Sequence, residues 1–116
     1  MKRLAITAIL LLLCISLPVS LTAAKVEVEG KAWLDAQKDP AAINVNGAWN
    51  SDEWGVLHLL QAEGSREVSG NGGGDQITGV VSGQRLFMLF ANNHTVEYCA
   101  VLSPNGDNSL MGTYSD

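Results

Sequence analysis

From Ile43 onward the chain is a succession of short apolar segments divided by turn residues every 8 to 12 positions or so, and no other feature constrains its fold more tightly. The segments are Ile43 to Trp49, Gly55 to Ala62, Glu67 to Asn71, Gln76 to Ser82, Arg85 to Ala91, Thr95 to Ser103 and Ser109 to Tyr114. The intervening NSDEW, EGSR, GGGD, SGQ, NNH and PNGDN are rich in Gly, Asn, Asp and Ser, which supply the bends and positive φ angles of tight turns. Such spacing predicts an all-β fold: an antiparallel up-and-down meander of about seven to eight strands, forming a small barrel or curled sheet.

Within this body a short pattern recurs. Val45-Asn46-Gly47, Val68-Ser69-Gly70, Ile77-Thr78-Gly79 and Leu110-Met111-Gly112 each read apolar, polar, glycine. Glycine inside a strand weakens it unless the sheet must bend sharply there or an aromatic ring lies over the backbone. Repetition at corresponding places predicts the corners of a small closed barrel. The longest glycine stretch, GNGGGDQITGVVSG from Gly70 to Gly83, falls between two strand-like segments and is read as a hairpin. A phosphate-binding loop would need a lysine and a following helix, whereas no lysine occurs after Lys38. A calcium-binding repeat would need several nonapeptides, and one imperfect copy is present.

The first 24 residues differ in kind. Lys2 and Arg3 precede an apolar run from Leu4 to Leu17, and Thr22 and Ala24 are small residues two apart, as in a secretory signal peptide cut after Ala24. The expectation is a secreted or periplasmic protein with a signal at 1–24, a leader at 25–42 and a β-meander domain at 43–116. In the leader Val26 and Val28 alternate with Glu27 and Glu29, and AWLDAQKD then predicts a short helical turn ending before Pro40. Of seven cationic and twelve acidic residues, the signal carries Lys2, Arg3 and no acid, so the processed chain of 92 residues has five cations against twelve acids, a net charge of −7. That surface repels phosphate backbones and anionic headgroups, which argues against nucleic-acid and peripheral membrane binding.

Cys14 leaves with the signal, so Cys99 is expected alone, as a buried small apolar side chain or as the link of a disulfide homodimer. The segment LFMLF is apolar on both strand faces. If Leu86, Met88 and Phe90 point inward, Phe87 and Leu89 point out and need a cover, either Trp33 and Leu34 of the leader or a second copy. Phe87, Leu89 and Cys99 are therefore the candidate interface residues.

Catalytic and metal-binding constellations are not evident. His58 lies in GVLHLLQ and His94 in the turn NNHT, neither with an acid or thiol at ligand spacing. Ser65, Ser82 and Ser103 lack the GxSxG frame, and the pairs Asp52–Glu53 and Glu63–Glu67 flank turns as solubilising charge. Asn93-His94-Thr95 matches a glycosylation sequon in a turn. No enzyme activity, metal or cofactor is expected.

The stretch VNGAWNSDEWGVLHLLQAEGSREVSG resembles the first strands of avidin-like barrels, with an apolar residue, GxW, a strand-opening glycine and a second apolar-Ser/Thr-Gly element. Gly47-Ala48-Trp49 after a helical leader is also similar to the opening of lipocalins. The resemblance covers about residues 43–83 and implies a calycin-type barrel closed at its floor by the tryptophan, with a cavity for a small apolar or vitamin-like molecule. The vitamin site does not carry over, because Val56 stands where avidins have a hydroxyl residue and Gly72 where they have a tyrosine. The expected function is that of an exported, non-catalytic barrel binding a small apolar ligand or a protein partner, with Trp49, Trp54, Phe90 and Tyr98 as cavity wall. The alternatives are an envelope structural or inhibitory subunit acting through its outer face, and a hydrolase with an unidentified site.

Overall fold

A computed structural model describes residues 2–8, by backbone alone, and residues 30–93, 95–106 and 108–115. Seven antiparallel strands form the predicted meander, curled into a half-barrel: β2 (Gly47–Ser51), β3 (Gly55–Leu60), β4 (Glu67–Gly72), β5 (Asp75–Ser82), β6 (Arg85–Asn92), β7 (Thr95–Pro104) and β8 (Ser109–Ser115). Each strand pairs with its successor in sequence. Across the open side runs β1 (Lys2–Ala8), parallel to β2 through Lys2↔Trp49 to Leu4↔Ser51 and parallel to β8 through Arg3↔Ser109 to Ala8↔Tyr114, which completes the ring.

The registers show why the chain coils so tightly. Gly47 pairs with Leu59, Leu59 with Gly70, Gly70 with Ile77, Val68 with Gly79, and Leu102 with Gly112. All four repeated glycines thus share the inward face with the large core side chains. A Cβ at Gly70 would run into the main-chain oxygen of His58, and one at Gly112 into that of Val101. A Cβ at Gly79 would stand 2.6 Å from the oxygen of Phe87, closer than real Cβ atoms come. The neighbouring backbone occupies the space of the missing side chains, so the sheet bends inward where glycine lets it. The predicted hairpin in the long glycine stretch is present: β4 ends at Gly72, Gly73 and Gly74 take φ of 60° and 84°, and Asp75 starts β5 opposite Gly72.

Inside lies one apolar core, containing Leu57, Leu59, Val68, Ile77, Val81, Leu86, Met88, Phe90, Ala100, Leu102 and Leu110. A second cluster lies outside, where Val80, Phe87, Leu89 and Cys99 are covered by Leu34 and Trp33. These two belong to a short helix, residues 30–35, whose last turn is closed by Gln37 donating from its amide nitrogens to Leu34 O and Trp33 O. Pro40 keeps the chain extended beyond it. The Trp33 ring meets Phe87 edge-on at 5.6 Å. Cover for the double-faced β6 therefore comes from the leader of the same chain. Burying a side chain of this size stabilises by about 1.5–3 kcal/mol, which accounts for so short a helix holding its place.

Two expectations are corrected. Strand β2 starts at Gly47 rather than Ile43, because residues 43–46 turn across the barrel floor, with Val45 about 1% exposed beneath the core. Cys99 is not a lone thiol: it is buried and disulfide-bonded.

Candidate functional site

The barrel has two unlike ends. At the floor, Trp49 projects from β2 into the core and its indole Nε1 donates to Val45 O at 2.8 Å. Val45 N in turn donates to Gln61 Oε1 at 2.8 Å, and Gln61 Nε2 donates to Ser65 O at 2.9 Å and Ile43 O at 3.2 Å. Gln61 N donates to Asn46 Oδ1 at 3.0 Å, so the residue ties the floor segment, the end of β3 and the next turn together. Gln61 is about 5% exposed, and its amide is fully engaged. A cleft of about 590 Å³ opens outside this end, bordered by Pro40, Ile43, Gln61, Ser65 and Arg66. Part of its polar wall is engaged in the fold, with Gln61 hydrogen-bonded as above and the Arg66 guanidinium donating to Gln37 O at 2.6 Å.

The opposite end is aromatic. Ser51 is buried where β2 ends, and its Oγ accepts from Glu53 N and Trp54 N, each at 3.2 Å, forming the turn that lifts Trp54 over the barrel mouth. There the Trp54 ring stacks on Phe90 at 4.3 Å and 30°, and meets Tyr114 at 5.1 Å and Tyr98 at 6.0 Å. Tyr98 and Tyr114 meet edge-on at 5.9 Å, and Phe90 and Tyr98 at 6.3 Å. The β6–β7 ladder slips between Phe90 and Ala91, so that Phe90 faces Tyr98 while Ala91 faces Val96 and Glu97 is the unpaired residue. The bulge aims Tyr98 at the other rings. Gly73 is needed beneath the indole: a Cβ there would lie 3.2 Å from Trp54 Cβ.

Carboxylates rim this mouth. Tyr114 Oη donates to Glu53 Oε2 at 3.3 Å. Glu97 pairs with Asp75, which is about 6% exposed. Lost hydration, then the charge of Asp75, then a side-chain hydrogen bond to Asp75 raise the Glu97 pKa above the usual carboxylate range.

Three of the four sequence-predicted cavity residues, Trp54, Phe90 and Tyr98, meet in this cluster. The fourth, Trp49, lies at the other end with its indole nitrogen hydrogen-bonded. Phe90 is the fully buried base of the cluster, while Trp54, Tyr98 and Tyr114 stay partly exposed. Sequence reasoning missed Tyr114, Asp75, Glu97 and Gln61. The alternation of β8 carried a signal for Tyr114, two residues beyond inward Gly112; Asp75 and Glu97 meet through a bulge that no local pattern announces. The candidate interface residues Phe87 and Leu89 lie beneath the leader helix with Cys99. His58 is an exposed residue of β3, and His94 lies outside the described residues. Among the described residues no group of three or more His, Cys, Asp or Glu is placed to hold a metal. No protein-family model matches this chain, and no curated protein or solved structure is similar to it at a significant level.

Proposed function

We propose that this is an exported, non-catalytic β-barrel binding protein that takes a small apolar ligand at its aromatic end. The observation that carries the reading is the cluster of Trp54, Tyr98 and Tyr114 seated on buried Phe90, half-open at a barrel mouth. Large aromatic faces left partly in water are costly unless something covers them, and they bind flat or aliphatic surfaces at little cost in side-chain entropy. The acidic rim favours a ligand whose polar end is neutral or cationic, since an anion would face Glu53, Asp75 and Glu97 together. The calycin-type resemblance and the signal-like first 24 residues support the same reading, of a carrier or sensor outside the cytoplasm.

Native mass spectrometry of the protein recovered from the exported fraction of its own host tests this. A bound small molecule on wild type, absent from a folded Trp54→Ala variant, is the expected result. A bare wild-type protein, or a ligand retained equally by Trp54→Ala, sinks the proposal. Action as an envelope subunit through Phe87, Leu89 and Cys99 is a weaker reading, because that patch is open to a partner only if the helix at residues 30–35 lifts from it.

A further inference from the structure

If the aromatic end is a ligand site, on which reading this inference rests, the charge of the ligand follows from two features of the barrel mouth. The first is the placement of the rings. Trp54–Tyr98, Tyr98–Tyr114 and Trp54–Tyr114 have centroids 6.0, 5.9 and 5.1 Å apart at interplanar angles of 52°, 80° and 67°, so no two lie flat on each other. A cation resting about 4–5 Å above the centre of this triangle is within about 6 Å of all three centroids, the range over which ring quadrupoles attract it. Buried Phe90, stacked on Trp54 at 4.3 Å, backs the arrangement. An aliphatic group gains contact with the same rings but nothing from their quadrupoles.

The second feature is a separation of charge along the barrel. Four basic side chains are described. Lys38 and Arg66 border the floor cleft, and Arg85 starts β6 opposite Ser82, five residues and about 17 Å from Phe90. Lys31 belongs to the short helix on the outer face. The mouth instead gathers Glu53, Asp75 and Glu97. Asp75 is about 6% exposed, and the side chain it meets is another acid, Glu97. Exposed Glu53 accepts from Tyr114 Oη at 3.3 Å, which fixes a carboxylate beside the ring triangle.

We propose that the ligand of this site carries a permanently cationic head, an alkylammonium methylated at nitrogen, seated over Trp54, Tyr98 and Tyr114 beside Glu53. A primary ammonium or a metal ion is more strongly hydrated and would give up more water for ring faces that supply no lone pairs. Among the described residues no three metal-ligating groups converge to repay that loss.

The test compares choline with its neutral isostere neohexyl alcohol, which has carbon in place of the charged nitrogen. Each is titrated into the full chain and followed by NMR at the Trp54 indole N–H. Saturable binding of choline, about tenfold tighter than that of the alcohol, is the expected result. Trp54→Leu, which keeps apolar volume but removes the ring, should erase the difference. Glu53→Gln, at an exposed position where folding is not at stake, should weaken choline by about threefold and leave the alcohol unchanged. Equal affinities in the wild type, no binding of either probe, or a choline preference untouched by both variants overturns the proposal. The ligand reading is judged separately: a neutral molecule recovered on the protein from its host leaves that reading standing and overturns the cationic head alone.

Discussion

The floor and the mouth of this barrel each carry a tryptophan from the same corner of the sequence, Trp49 and Trp54, yet the two are used in opposite ways. Trp49 is about 4% exposed, with its indole nitrogen bonded to a backbone carbonyl that the Val45–Gln61 network holds in place. Trp54 is half-buried on a turn, stacked on Phe90 and flanked by tyrosines and carboxylates. One end is buried and hydrogen-bonded within the chain; at the other, Trp54, Tyr98 and Tyr114 stay partly exposed. Where polar groups are all paired and rings are fully enclosed, a side chain serves stability. Where rings are packed but partly exposed, as at the mouth, the proposed recognition has a surface to act on.

Trp49→Ala should separate the two ends most strongly, costing about 3–5 kcal/mol in urea unfolding, since it removes the largest floor side chain and leaves Val45 O without its donor. Gln61→Leu keeps the volume but strands Val45 N and two carbonyls; a loss of about 2–3 kcal/mol is expected, and a neutral result would show that water replaces the amide and the floor is not sealed. Gly112→Ala, which forces the backbone away from Val101, should cost about 1–3 kcal/mol on the same measure, testing whether glycine corners hold the barrel closed between its ends. Trp54→Ala should cost only about 1–2 kcal/mol while abolishing ligand retention; a loss as large as that of Trp49→Ala would erase the contrast between the two tryptophans.

The smallest effect concerns charge at the mouth. The raised Glu97 pKa means that the fold disfavours the ionised carboxylate, so the contribution of this group is fully present below its unfolded pKa and fades as pH rises through the folded one. Glu97→Gln should match wild type in acid, below the ordinary carboxylate range, and become progressively the more stable of the two toward neutrality. Thermal unfolding across that pH range checks it. A wild-type advantage at neutral pH would mean that Asp75 and Glu97 jointly hold something cationic.

Much of the fold is legible in the sequence. The strands from β3 to β8 begin and end within a residue or two of their expected places, because each is bounded by turn residues whose backbone preferences act locally. The double-faced LFMLF segment announced a covered outer patch, since period-two alternation leaves Phe87 and Leu89 no inward option. Less was legible at the site. The alternation places the start of the first strand four residues before Gly47, because Ile43 and Val45 alternate like strand residues but are drawn across the floor by a glutamine 16 positions beyond Val45. Trp49 and Trp54 are both large residues near one strand and read alike in sequence; only the direction of each distinguishes a plug from a rim. The Asp75–Glu97 pair needed the bulge at Phe90 and Ala91 to bring it together.

The sequence by itself determined the elements: strand lengths, hairpin turns, the glycines at which the sheet bends, and the need for a cover on β6. Those follow from the backbone preferences and side-chain alternation of residues a few positions apart. Only the tertiary structure decided which tryptophan closes the barrel, which rings gather at its mouth, and that a single parallel strand fits the seam between β2 and β8. Those outcomes depend on register accumulated around the whole sheet, where each pairing fixes the next, and no local stretch of sequence contains that sum.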